Sequence, residues 1–202
     1  AEELVFAPQL DVTRAAAARA GRRLEGRRRV LFYGRPAKPR NLFDIGTAAI
    51  RLASTQLEEQ GLPTDFFSMG ETVPPVKLGG GAVMACLGKM SWDEYFSELG
   101  RADVVLSLQL SPHPSHPPLD TVLAGGIAVT NDVGGTRAHL HERLIVAEPN
   151  PRDIAARIVE TVTASRSSPL ATDVPADLLT KLGRPLRDVI DESARRLRAL
   201  QE

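Results

Sequence analysis

The sequence predicts an α/β fold: a doubly wound, mainly parallel, Rossmann-like sheet with helices on both faces. Three observations carry this. Short apolar runs such as Val30–Tyr33, Ala82–Leu87 and Val104–Leu108 alternate with longer stretches of helical periodicity. Those runs are apolar nearly throughout, as strands covered on both faces are. The stretch from Ala102 to Gly135, ADVVLSLQLSPHPSHPPLDTVLAGGIAVTNDVGG, reads as strand, loop, helix and strand, one complete α/β unit. In open sheets of this kind ligands bind beyond the carboxyl ends of the strands, so the polar loop after Leu108 is the first place to look for function.

In chain order, residues 1 to 9 read as an extended linker. Val12 to Leu24, rich in Ala and Arg, favours helix. Arg27, Arg28 and Arg29 lead into the strand Val30–Tyr33 and are expected to be a solvated approach to it. After the loop GRPAKPR, Asn41 is the expected N-cap of a helix running to Gln60. Leu42, Ile45, Ala49, Leu52, Ala53 and Leu57 recur on one face of it; Gly46 weakens it slightly, and Gly61 ends it. Thr64–Met69 is the next strand, Gly70–Gly81 a Pro/Gly-rich connection, and Ala82–Leu87 a third strand. Ser91 and Glu94 form a capping box for a helix whose stripe of Trp92, Tyr95, Phe96 and Leu99 is expected in the core. Strands at Val104–Leu108, Ile127–Thr130 and Leu144–Ala147 follow, with a helix at Pro117–Ala124 between the first two. Asn150 or Pro151 opens a helix to about Ser165, Ser167–Ala176 is a break, and Pro185–Leu200 is a charged amphipathic helix. The expected division is a linker and leading helix over residues 1–25, a Rossmann-like domain over 26–166 and a helical extension over 167–202.

Length and charge limit the function classes. The chain has 202 residues, enough for one ordinary domain. Its 25 basic and 25 acidic residues cancel, so no general affinity for nucleic acid is expected. Cys86 is the one cysteine, expected as a small buried hydrophobe. No run approaches the roughly 20 apolar residues of a membrane span, and no signal peptide is evident at the acidic start. The chain begins with Ala rather than Met and is expected to be a piece of a longer protein.

Three loops at strand ends could carry chemistry. Arg35, Lys38 and Arg40 lie between a strand and a helix start, where cations and unpaired N–H groups suit phosphate. The same loop reads equally as a solvated turn held by Pro36 and Pro39. It is neither a GxGxxG fingerprint nor a Walker loop. The loop Ser111–Asp120 contains Pro112, Pro114, Pro117 and Pro118, which stiffen it, and His113, Ser115 and His116, which offer donors and acceptors. Asp120 is expected in the first turn of the following helix, placed to accept a sugar hydroxyl or simply favoured there by the dipole. The HPSH pair lacks a third ligand at metal spacing, so no metal is expected. No GxSxG elbow accompanies these residues, so a hydrolase triad is not indicated. Gly88, Lys89 and Met90 form a third loop that could border a flat ring, and Gly134–Gly135–Thr136 is a tight turn.

Together these loops resemble the carboxyl-terminal half of a GT-B glycosyltransferase of family 4, and most closely the WsaF-like rhamnosyltransferases. Those carry YGRP…RNLF and SLxLSPHPSxPPLE stretches; here the strings are YGRPAKPRNLF and SLQLSPHPSHPPLD. The resemblance runs from about Phe6 to Val162. It implies a donor-binding domain without its own cofactor, whose substrate is a nucleoside-diphosphate sugar such as dTDP-rhamnose. By the same resemblance Arg35, with Lys38 or Arg40, holds the diphosphate. Gly88, Lys89 and Met90 border the base, and His113 and Ser115 line the sugar-phosphate side. Leu119 and Asp120 belong to the binding segment, with Asp120 in the place of a carboxylate that bonds the nucleoside sugar. The family usually has Glu there, and Pro112 stands where a second Glu often lies eight residues earlier. The acceptor-binding half and the catalytic base are expected to precede Ala1, leaving no catalytic residue assigned here. The implied setting is cytoplasmic, with peripheral membrane association and cell-surface polysaccharide as product. A non-catalytic, glycosyltransferase-like binding module is the alternative.

Overall fold

The computed structural model describes residues 7–113, 115–167, 171 and 173–199. Expectations for residues 1–6, Pro114 and Leu200, and for residues 168–170 and 172 of the expected break, lie outside these. The described chain forms helix α1 (Val12–Ala20), strand β1 (Arg28–Tyr33), α2 (Phe43–Glu59), β2 (Thr64–Met69), β3 (Val76–Gly79), β4 (Ala82–Gly88) and α3 (Trp92–Arg101). It continues through β5 (Val104–Ser107), α4 (His116–Leu123), β6 (Ala128–Asn131), β7 (Leu144–Ala147), α5 (Pro151–Ala164), α6 (Ala176–Lys181) and α7 (Leu186–Ala199). The seven strands form one sheet in the order β3-β4-β2-β1-β5-β6-β7, parallel at every pairing except β3 with β4. The doubly wound expectation holds.

Alternate residues of the central strand build two cores. Val30 and Phe32 face α2 and α5, packing with Ile50, Leu57, Leu106, Ile154 and Ile158. Leu31 faces the opposite layer of α1, α3, α4 and α6, with Leu99, Val105, Leu119, Leu123 and Leu178. Burial of each such Leu or Ile stabilises the fold by roughly 1.5–3 kcal/mol. Gly46 has a packing role: a Cβ there would lie 2.3 Å from Cζ of Phe32. Its absence lets α2 seat directly on that ring, outweighing glycine's weak helix propensity.

The structure revises several local expectations. Asn41 does not cap α2. It lies buried in a 3-10 turn, Pro39–Asn41, and Leu42 at φ +50° is the cap residue. The Asn41 side chain instead accepts from Arg35 Nε at 3.1 Å and donates to the Leu108 carbonyl at 3.4 Å, joining two strand ends. Trp92 is not core. At the first position of α3 the indole is 61% exposed, whereas Tyr95, Phe96 and Leu99 further along the stripe are buried. The connection Gly70–Gly81 contains an antiparallel edge strand, β3, which reads poorly in sequence because Pro and Gly crowd it. The leading helix stops at Ala20, where Gly21 caps it, and α6 forms within the tail.

The arginine run at β1 is ion-paired. Arg27 meets Asp65, Arg28 approaches Asp103, and Arg29 pairs with Glu98 while stacking 4.3 Å over the Phe67 ring. Cys86 is half-buried; its thiol accepts from the Val73 N–H and donates to the Glu71 carbonyl. Arg19 on α1 donates to the Leu123 carbonyl, and Arg22, just after the helix, donates to those of Leu99 and Ala102. These bonds satisfy carbonyls near the carboxyl ends of α3 and α4, which helices leave unpaired. The leading helix is thus bonded to the layer of α3 and α4.

Candidate functional site

The sheet reverses its winding between β1 and β5, and the loops after these strands flank that switch point. They are tied together: the Leu110 N–H donates to the Arg40 carbonyl at 2.7 Å, and Asn41 reaches Leu108. The β5 and β6 ends are joined by Asn131, whose side chain accepts from the Gln109 N–H and donates to the Gln109 carbonyl.

A buried arginine holds the Pro/His loop. Arg137 donates to the carbonyls of Asn131, Ser111 and His113. Its own turn is fixed by Asp132, which accepts from the N–H groups of Thr136, Arg137 and Ala138. Gly134 and Gly135, both at φ above +70°, permit that turn. Sequence reasoning missed Arg137, because a lone Arg after a Gly-rich turn carries no visible signal of burial. At the loop's far end Ser115 sits at φ +67°, unusual for a residue with a side chain. Its N–H donates to the His113 ring, and Pro117 and Pro118 open α4.

Asp120 is not in the first turn of α4, which begins at His116; it lies one turn further in and is 2% exposed. Its Oδ2 accepts from the Tyr95 hydroxyl at 3.2 Å. Burial drives the Asp120 carboxyl up to about 7, against the lowering effect of Tyr95 and with a small addition from Asp11. Burial likewise lowers His116.

Asp120 lines a cavity of about 230 Å³ at the carboxyl ends of β1, β2 and β4. Its walls include Tyr33, Met90, Trp92, Tyr95 and His116, with Lys89 at the rim. A second hollow of about 420 Å³ shares Trp92, His116 and Asp120 and extends towards Asp11 and Thr13. Of the residues singled out in sequence, Gly88, Lys89, Met90 and Asp120 thus come together. Arg35 stands beside them, its guanidinium 5.6 Å from the Tyr33 ring centre and its chain passing Gly70 at the cavity edge. Lys38, Arg40 and His113 are exposed on the neighbouring loops, outside the cavity lining. Leu119 points into the core, so its side chain is unavailable to a ligand. The aromatic wall was missed because Tyr95 and Trp92 share one helical stripe with true core residues.

Such a crevice, with apolar walls, few polar groups and cations on an adjoining loop, has the make-up of a small-molecule site. The fold is that of one half of the two-domain GT-B glycosyltransferases. The UDP-forming α,α-trehalose-phosphate synthase of Burkholderia xenovorans superposes with a TM-score of 0.65 at 13% identity, over 99% of this chain and 52% of that one. The sucrose-phosphate synthase of Thermosynechococcus elongatus superposes at 0.61 with 15% identity, over 96% of this chain and 49% of that one.

Sequence comparison gives the family. The chain belongs to the family described as WsaF, C-terminal domain, which matches residues 28–159. It is also 31% identical over 160 residues to the O-antigen biosynthesis protein RfbC of Myxococcus xanthus. That match takes in 78% of this chain and 12% of the relative, so the chain spans a small part of RfbC and about half of the solved enzymes. Among the described residues no helix is long and apolar enough to cross a membrane.

Proposed function

We propose that this chain is the donor-binding part of a glycosyltransferase that builds a cell-surface polysaccharide. The observation that carries the reading is the cavity at the switch side of the sheet, where Asp120 and Lys89 meet an aromatic wall beside the Arg35 loop. Family membership and the O-antigen role in the relative's name support it. In this reading the base lies against Met90, Tyr33 and Trp92, and Asp120 accepts a nucleoside hydroxyl. The diphosphate extends towards Arg35, Lys38 and Arg40 and the His113–Ser115 loop. The motif resemblance favours dTDP-rhamnose as donor.

Fixed cations and backbone N–H groups aimed at the diphosphate stabilise the charge that develops as it leaves. A preceding domain supplies the acceptor site and the group that takes the acceptor's proton, working at the cytoplasmic face of the membrane. Calorimetry with dTDP and dTDP-rhamnose tests the assignment. Binding by this chain without sugar transfer is expected, together with transfer by the full-length protein. Arg35→Ala should cost about 1.5–3 kcal/mol of binding, the range for a hydrogen bond to a charged group. Absence of binding to any nucleoside diphosphate overturns the reading; donor binding without transfer by the full-length protein favours a binding module.

A further inference from the structure

We propose that Tyr95 is a positioning residue for the donor: its hydroxyl engages one oxygen of Asp120 and presents the other, ionised, to the nucleoside sugar. The inference rests on the donor-binding reading above. Tyr95 is buried on α3, held edge-on between Trp92 and Phe96 with ring centres 5.8 and 5.2 Å away. The phenol therefore has little freedom, and its hydroxyl meets Asp120 Oδ2 at 3.2 Å. Among the described residues Oδ1 has no hydrogen-bond partner, and Asp120 borders both hollows. The Asp120 side chain is short and buried, so its orientation decides what Oδ1 can reach.

The bond also governs charge. A buried carboxylate is costly to ionise, and a hydrogen bond to the ionised form offsets part of that cost. The groups facing Asp120 are Tyr95 on α3, Asp11 before α1, His116 on its own helix, and Lys89 and Tyr33 across the cavity. Asp11 opposes ionisation, and Tyr95 is the neighbour that favours it. Without the hydroxyl, Asp120 stays protonated to higher pH and offers a weaker acceptor.

The test is dTDP binding by calorimetry from about pH 6 to 9 for wild type, Tyr95→Phe, Asp120→Asn and the double variant. Wild-type affinity should rise with pH as Asp120 ionises. Tyr95→Phe should bind about five-fold more weakly near neutral pH, the effect of one hydrogen bond, with the gap closing at the alkaline end. In the Asp120→Asn background, Tyr95→Phe should have no further effect, and any remaining pH dependence belongs to His116 and to the terminal phosphate of dTDP, which titrates at about pH 6. A Tyr95→Phe loss that is constant across pH, or that persists in the Asn background, makes Tyr95 merely structural and overturns the proposal. So does unchanged binding. Should Tyr95→Phe fail to fold, 3-fluorotyrosine at position 95 replaces it: a stronger donor, it should shift the binding midpoint to lower pH, and an unshifted midpoint overturns the proposal. Failure of wild type to bind dTDP at any pH counts instead against the donor-binding reading.

Discussion

Asp120 ties the stability of the fold to pH through one proton. Its folded-state pKa of about 7 lies above the ordinary 3.8, so the folded protein holds a proton that the unfolded chain releases. Stability therefore falls as pH rises from about 4 to about 7, by up to about 4 kcal/mol for a shift of this size. Asp120→Asn should raise the melting temperature at pH 8 while weakening nucleotide binding; a loss of stability instead would show that the bond from Tyr95 outweighs the cost of burying the charge. Trp92 offers the complementary case. Its indole is largely exposed, so Trp92→Ala should change stability by less than about 0.5 kcal/mol. If a base stacks there, nucleotide affinity should fall by about 1–3 kcal/mol. Calorimetry of binding and chemical denaturation, on the same variant, separate the two effects.

At the scale of elements, the site depends on how helices and loops are seated. Gly46 lets α2 lie directly against the Phe32 ring. Gly46→Ala should destabilise by about 1–3 kcal/mol, the usual cost of overpacking, although alanine is the better helix former. A stabilised protein in urea unfolding would show that the ring moves aside freely. Arg137 seats the other loop through carbonyls of Ser111 and His113. Arg137→Met keeps much of the bulk and removes the bonds. Faster amide exchange across residues 111–116 is expected, with β5 and β6 unchanged; protection equal to wild type would show that the prolines alone hold the loop.

For the whole molecule the question is where the folding unit begins. Ala15 is fully buried in the same cluster as Leu31, and Arg19 and Arg22 close the ends of α3 and α4. The leading helix is therefore expected to be part of the cooperative unit rather than a tether. Removing residues 1–21 should lower stability by several kcal/mol, on the order of 3–5, as loss of a buried hydrogen-bonded element does. An unchanged melting temperature would show that the leading helix lies outside the cooperative unit. Acid unfolding has a different centre, Asp103. Burial raises Asp103, but bonds from Arg166, the Arg29 N–H and Ser165 outweigh it and hold the carboxyl below its ordinary value. Its contribution is complete above about pH 4 and lost as pH falls through the lowered pKa, so Asp103→Asn should flatten the acid limb of the stability curve.

By itself the sequence determined the layered α/β architecture, the order of nearly all strands and helices, and the loops at which a ligand would sit. These follow from local signals: apolar runs, helical periodicity, a capping box, and glycine or proline at the turns, each legible within a dozen residues. The YGRP and SPHPS strings also marked the family. Only the tertiary structure decided which loop residues meet. It separated Tyr95 from Trp92, three positions apart on one stripe, one buried and the other 61% exposed. It moved Asn41 from a cap to a buried tie, turned Leu119 inward, and disclosed Arg137 as the latch on the Pro/His loop. It paired Tyr95 with Asp120, 25 residues away. Burial and long-range hydrogen bonds arise from segments distant in the chain, and a periodicity or motif records only its own neighbourhood.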